Sequence, residues 1–129
     1  MINTENFSTV LVVDDEPVIQ ETFKAIFNGH FKVLTAGNAD EAFERIDKNS
    51  VDLVFLDINI PGANGIEILR RLKEYAEDLP VIVVTGVESE ILAKEAKTLG
   101  VCYYISKPFD GPELVALAYK TIKGEKIIK

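Results

Sequence analysis

"DLVFLDINIPGANG", residues Asp52 to Gly65, joins an apolar run to a loop of proline, glycine and asparagine through a single aspartate, Asp57. The run Val51–Leu56 is hydrophobic almost without interruption, the pattern of a strand buried on both faces rather than one with a wet side. A core strand that ends in a carboxylate either marks where the chain meets water or holds a chemical group in place from behind.

Outward from this stretch the same pattern recurs at Val10–Val13, Val81–Val84 and Val101–Ile105, with a weaker run around Phe31–Ala36. Between the runs the period becomes helical. Ile19, Phe23, Ile26 and Phe27 fall on one face, and Leu92, Ala96 and Leu99 repeat the spacing. Pro17 suits a first helical turn, while Asn38 with Glu41, Asn64 with Glu67 and Asp110 with Glu113 have capping-box-like spacing. Gly29 and Gly100 are plausible C-terminal stops. Strand and helix alternate five times, which predicts an α/β domain, a (βα)5 doubly wound parallel sheet with helices on both faces. The domain is expected to fill residues 1–129, with 1–8 and 124–129 as terminal tails.

Composition agrees with one domain. The 129 residues are 47% hydrophobic and 27% charged, and no apolar run is long enough to span a bilayer. Lys and Arg total 14 against 21 Asp and Glu, a formal charge of −7, which repels a phosphate backbone and argues against direct nucleic-acid binding. The start lacks a basic n-region with a long apolar stretch, and the lone Cys102 has no internal disulfide partner, so a cytoplasmic home is expected. Within "VCYYI", Cys102 reads as a buried, inert thiol.

In a doubly wound sheet, ligands bind beyond the carboxyl ends of the strands. At those ends stand Asp14-Asp15, Asp57, Thr85 and Lys107-Pro108. Three carboxylates at one rim repel one another unless separated, protonated or bridged by a cation. Hard oxygen ligands without His or Cys select Mg2+, Mn2+ or Ca2+ over Zn2+, and few protein ligands with open positions suit Mg2+. A Mg2+ site beside a lysine, a hydroxyl and a further carboxylate suits phosphoryl chemistry, and aspartate can itself be the nucleophile. Asp57 is the best candidate, because it ends the central strand and precedes a loop rich in backbone donors.

These residues resemble the receiver domain of two-component response regulators, particularly single-domain chemotaxis-type and sporulation-type receivers. The resemblance rests on "LVVDDEP" at 11–17, "DLVFLDINIPGANG" at 52–65, "VIVVTG" at 81–86 and "YISKPF" at 104–109, and covers essentially the whole chain. It implies a flavodoxin-like sheet in the order 2-1-3-4-5. It further implies Asp57 as the phosphorylated aspartate, Asp15 as a direct Mg2+ ligand, Asp14 as an acidic neighbour acting through metal-bound water, and Asn59 as donor of a backbone carbonyl to the metal. Lys107 would pair with the phosphoryl group and Thr85 would close on it, with Tyr104 as the aromatic that changes rotamer on switching.

The implied partner is a sensor histidine kinase or a histidine phosphotransfer protein, with slow self-dephosphorylation and phosphorylation-dependent homodimerisation as further expectations. The readout surface would lie over the fourth helix, fifth strand and fifth helix, where Leu114, Leu117, Ala118 and Thr121 account for a core face and Val115 or Tyr119 remains for a partner. Three positions depart from the usual pattern, of which Ile60 in place of a frequent methionine is a conservative apolar change. Gly86 stands where alanine is common, which loosens a loop that must move. Val87 stands where a polar side chain tunes attack by water.

Rival classes fit less well. An aspartate-nucleophile phosphohydrolase usually needs a second acid two residues after the nucleophile, where Asn59 stands here. A nucleotide- or flavin-binding module needs a glycine-rich phosphate loop after the first strand, where this chain has an acidic pair.

Overall fold

Five parallel strands alternate with five helices in the computed structural model, which describes residues 6–59, 64–87 and 89–124. Ile60 and most of the expected terminal tails lie outside the described residues. The strands are β1 (Thr9–Val13), β2 (Lys32–Ala36), β3 (Leu53–Leu56), β4 (Val81–Thr85) and β5 (Tyr103–Ser106). The helices are α1 (Pro17–Phe27), α2 (Ala39–Lys48), α3 (Gly65–Tyr75), α4 (Glu90–Thr98) and α5 (Gly111–Ile122). The sheet order is β2-β1-β3-β4-β5, so β3 is central and the chain reverses direction across the sheet at β1 and β3. No helix among the described residues is long and apolar enough to cross a membrane.

The continuous hydrophobicity of β1, β3 and β4 has the expected cause. Their side chains alternate between two cores, one on each face. Leu11, Val13, Val54, Leu56, Val81 and Val83 pack under α2, α3 and α4. Val10, Val12, Leu53, Phe55, Ile82 and Val84 pack under α1 and α5. Each fully buried side chain of this size contributes about 1.5–3 kcal/mol relative to exposure. Tyr104 joins the first core and Tyr103 the second, on opposite faces of β5.

Helix starts follow the sequence signals. Asn38, Asn64 and Asp110 accept hydrogen bonds from amides of the first turns of α2, α3 and α5, and Pro17 opens α1. Gly29 and Gly100, just past the ends of α1 and α4, have φ of +83° and +90°, a conformation that glycine adopts without steric cost.

One expectation is corrected. Cys102 is exposed rather than buried. β5 is the edge strand and begins only at Tyr103, so Cys102 sits ahead of it, with its amide bonded to the Val81 carbonyl at 2.8 Å and its side chain in solvent.

Candidate functional site

The main-chain ladder runs one residue past three strands, and this carries the polar side chains to the rim in fixed positions. The Asp14 amide donates to the Ala36 carbonyl at 3.0 Å, the Asp57 amide to Val13 at 2.9 Å, and the Lys107 amide to Thr85 at 2.9 Å. Behind them Phe23 touches Phe55 and Phe109, with ring centroids 5.2 and 5.1 Å apart. Phe109 thereby ties the loop that carries Lys107 to the core.

Lys107 joins the two buried acids. Its Nζ donates to Asp14 Oδ2 at 2.8 Å and to Asp57 Oδ2 at 3.0 Å, while Glu16 Oε1 lies 3.9 Å away. The other carboxylate oxygens are also held. Asp14 Oδ1 accepts from the Glu16 amide at 2.9 Å, and Asp57 Oδ1 accepts from the Asn59 amide at 2.8 Å. Asp14 and Asp57 are only 2% and 5% exposed, so losing either partner would leave a buried charge short of compensation.

Burial, with a smaller push from the negative charge of Asp57, raises the Asp14 pKa above the ordinary carboxylate value, and the Lys107 ammonium and the Glu16 amide only partly offset it. For Lys107 burial acts to lower the pKa, but the hydrogen bonds to Asp14 and Asp57 together prevail and raise it. A cation held in this way stabilises the fold fully below its ordinary pKa, and that contribution is lost as pH rises through the raised folded value. Lys107 is therefore a fixed positive charge at neutral pH.

One ammonium faces four acids. Asp14, Asp15, Glu16 and Asp57 each offer an oxygen within 4.8 Å of the others. This donor set, hard, anionic and free of sulfur or imidazole, fits a hard divalent cation. Asp15, unlike Asp14 and Asp57, is exposed, so water reaches this edge of the cluster. Glu16 joins the cluster although the sequence marks it only by its place between the acidic pair and Pro17: it is the N-cap of α1 but makes no side-chain cap, which leaves its carboxylate free to face Lys107.

The expected switch residues are near the rim but engaged elsewhere. Thr85 is fully buried, and its hydroxyl accepts from the Val87 amide at 3.2 Å rather than meeting Asp57. The Tyr104 hydroxyl donates to the Val87 carbonyl at 3.3 Å. Burial, with a smaller push from the negative charge of Asp57, raises the Tyr104 pKa. Both main-chain groups of Val87 are thus occupied by the two residues expected to move.

Comparison with known proteins agrees with this fold. Residues 10–119 match the family described as "Response regulator receiver domain". The chain is 37% identical over 106 residues to sporulation initiation phosphotransferase F of Bacillus subtilis (strain 168), covering 81% of this chain and 86% of that protein. It is 35% identical over 124 residues to regulatory protein VanR of Enterococcus faecium, covering 91% of this chain but only 53% of that relative. A solved CheY-like response regulator receiver domain protein from Methanospirillum hungatei JF-1 superposes with a TM-score of 0.87 at 25% identity, covering 92% and 96% of the two chains. The acids, the threonine and the lysine of the rim all fall inside the matched span, and the chain belongs to the response regulator receiver domain family, the phosphoacceptor domains of two-component signalling.

Proposed function

We propose that Asp57 accepts a phosphoryl group from a phosphohistidine on a histidine kinase or phosphotransfer protein. The observation that carries this reading is the Lys107 ammonium held at 3.0 Å from the buried Asp57 carboxylate, at the carboxyl end of the central strand. An Asp57 oxygen attacks phosphorus in line, a P–O bond forms as the P–N bond breaks, and the imidazole leaves with the electron pair and takes up a proton from solvent. Lys107, already cationic and aimed at the attacking carboxylate, offsets the charge that develops on the phosphoryl oxygens.

Asp15, Asp57 and the backbone carbonyl of Asn59 would hold a Mg2+ ion, with Asp14 as the acidic neighbour. When bound, the ion neutralises phosphoryl oxygens and the mutual repulsion of the acids. Modification adds roughly 1.5–2 negative charges and strong acceptor oxygens. The Thr85 hydroxyl then leaves the Val87 amide for the phosphoryl group, and Tyr104 is released from the Val87 carbonyl. This shift alters the surface of α4, β5 and α5, through which a downstream target or a second copy is engaged. The chain acts as one receiver domain, a signalling phosphoacceptor with slow self-dephosphorylation rather than an enzyme with turnover.

The test is incubation with a small phosphodonor and Mg2+ followed by intact mass measurement. Wild type is expected to gain one phosphoryl group and Asp57→Asn none. Equal labelling of both, or labelling of neither, sinks the assignment.

A further inference from the structure

Asp14 is held at every polar group. Its amide is taken by Ala36 and its two carboxylate oxygens by Glu16 and Lys107. The remaining group, its backbone carbonyl, accepts the side-chain amide of Gln20 at 2.7 Å. That carbonyl shares a rigid peptide plane with the amide of Asp15. Fixing its direction therefore fixes the direction in which Asp15 leaves the strand. Among the described residues, the bonds that hold this corner fall on Asp14 and Glu16, and none falls on the Asp15 carboxylate. Asp15 is exposed, so its placement beside the other acids depends on the backbone that carries it.

Gln20 is itself well placed for this task. Its backbone N–H donates to the Glu16 carbonyl at 3.1 Å in the first turn of α1, which locks the helix to the same corner. Its side chain lies over Gly37, where an added Cβ would stand 3.9 Å from Gln20 Nε2. The Gly37 amide in turn donates to Glu41 Oε1 at 2.7 Å, which fixes the floor on which Gln20 rests.

We infer that Gln20 is a positioning residue for the cation site, acting through the Asp14 carbonyl to aim the Asp15 carboxylate. The inference rests on the Mg2+ reading above and goes beyond it in assigning a role to a residue that touches neither cation nor phosphoryl group. Second-layer partners of this kind typically set metal affinity about tenfold or more.

Two variants of Gln20, read by calorimetric titration with MgCl2 alone and by thermal unfolding of the metal-free protein, test it. Gln20→Met keeps length and helix preference but cannot donate, and about tenfold weaker Mg2+ binding is expected. Gln20→Glu adds a negative charge near the acids, so Coulomb attraction alone would tighten binding, whereas loss of the donor weakens it. Weakened binding in both variants supports the inference. Tighter binding in Gln20→Glu overturns it, as does a drop in thermal midpoint for Gln20→Met with Mg2+ affinity unchanged. A wild-type protein that binds no Mg2+ removes the cation reading and this inference together. Wild-type binding that Gln20→Met leaves intact removes only the inference.

Discussion

Asp14 sits in the fold at a cost that the proposed cation site would explain. Its raised pKa means that the folded protein holds a proton there more tightly than the unfolded chain does. Stability therefore falls as pH rises from the ordinary carboxylate value of 3.8 through the raised folded value, and the deficit persists at neutral pH. Asparagine at this position keeps its carbonyl oxygen for the Glu16 amide and carries no charge, while Lys107, which then faces an amide NH2 in place of Oδ2, keeps its bond to Asp57. We predict that Asp14→Asn stabilises the metal-free protein by about 1 kcal/mol at pH 7, with the advantage vanishing in acid. Urea unfolding at both pH values checks this, and a variant less stable than wild type at neutral pH would refute it. Val87 offers a second test at the same scale. Its amide and carbonyl are engaged by Thr85 and Tyr104, and its side chain has no polar atom to guide a water. Val87→Glu is expected to shorten the lifetime of phosphorylated Asp57 severalfold, and an unchanged decay rate counts against any tuning role.

The elements around the site use glycine in two opposite ways. Gly65 opens α3 against the β3–α3 turn, where an added Cβ would collide with the carbonyl oxygen and Cα of Ile58. Backbone cannot swing aside as a side-chain tip can, and Ile58 links Asp57 to Asn59. Gly86, at the end of β4, has open space where a Cβ would go and no left-handed φ. Alanine should therefore destabilise at position 65 by about 2 kcal/mol or more, and stabilise at position 86 by about 0.5 kcal/mol through the unfolded state. Urea midpoints of the two variants decide it, and the same sign at both sites would contradict this account. Much of the element pattern was legible because burial on both faces forces continuous apolar runs and because caps need particular side chains. Two boundaries were not. Val51 and Val101 read as strand, yet β3 begins at Leu53 and β5 at Tyr103, because both valines pack partly against the core ahead of the paired backbone. The Ser89 cap of α4 was also hidden, since Leu92 stands three residues on where a capping box would show Glu or Gln.

For the whole molecule, the rim acids and the sheet oppose each other. Sequence order alone indicates that Asp14, Asp15, Asp57, Thr85 and Lys107 follow strands, and the parallel order β2-β1-β3-β4-β5 gathers those ends on one edge. What sequence order cannot reveal is which side chain satisfies which: the two hydrogen bonds of Lys107 and its approach to the Glu16 carboxylate join chain segments that meet only after folding, and the Gln20 bond to Asp14 depends on how the turn into α1 is closed. The fold thus assembles four acids around one ammonium, in a chain whose net charge is already −7. A ligand that binds only the folded state adds RT ln(1 + [L]/Kd), about 2.7 kcal/mol at a hundredfold excess over Kd. Mg2+ should therefore raise the unfolding midpoint of the wild type, and raise it much less in Asp57→Asn, which lacks one of the proposed anionic ligands. Simple screening also relieves acid repulsion, over a Debye length of about 8 Å at physiological ionic strength, so NaCl at matched ionic strength is the necessary comparison. Stabilisation by MgCl2 well beyond NaCl, titrating to saturation and blunted by Asp57→Asn, is the expected result. Equal effects of the two salts would mean that the acids are only a screened patch, and the cation site would have to be abandoned.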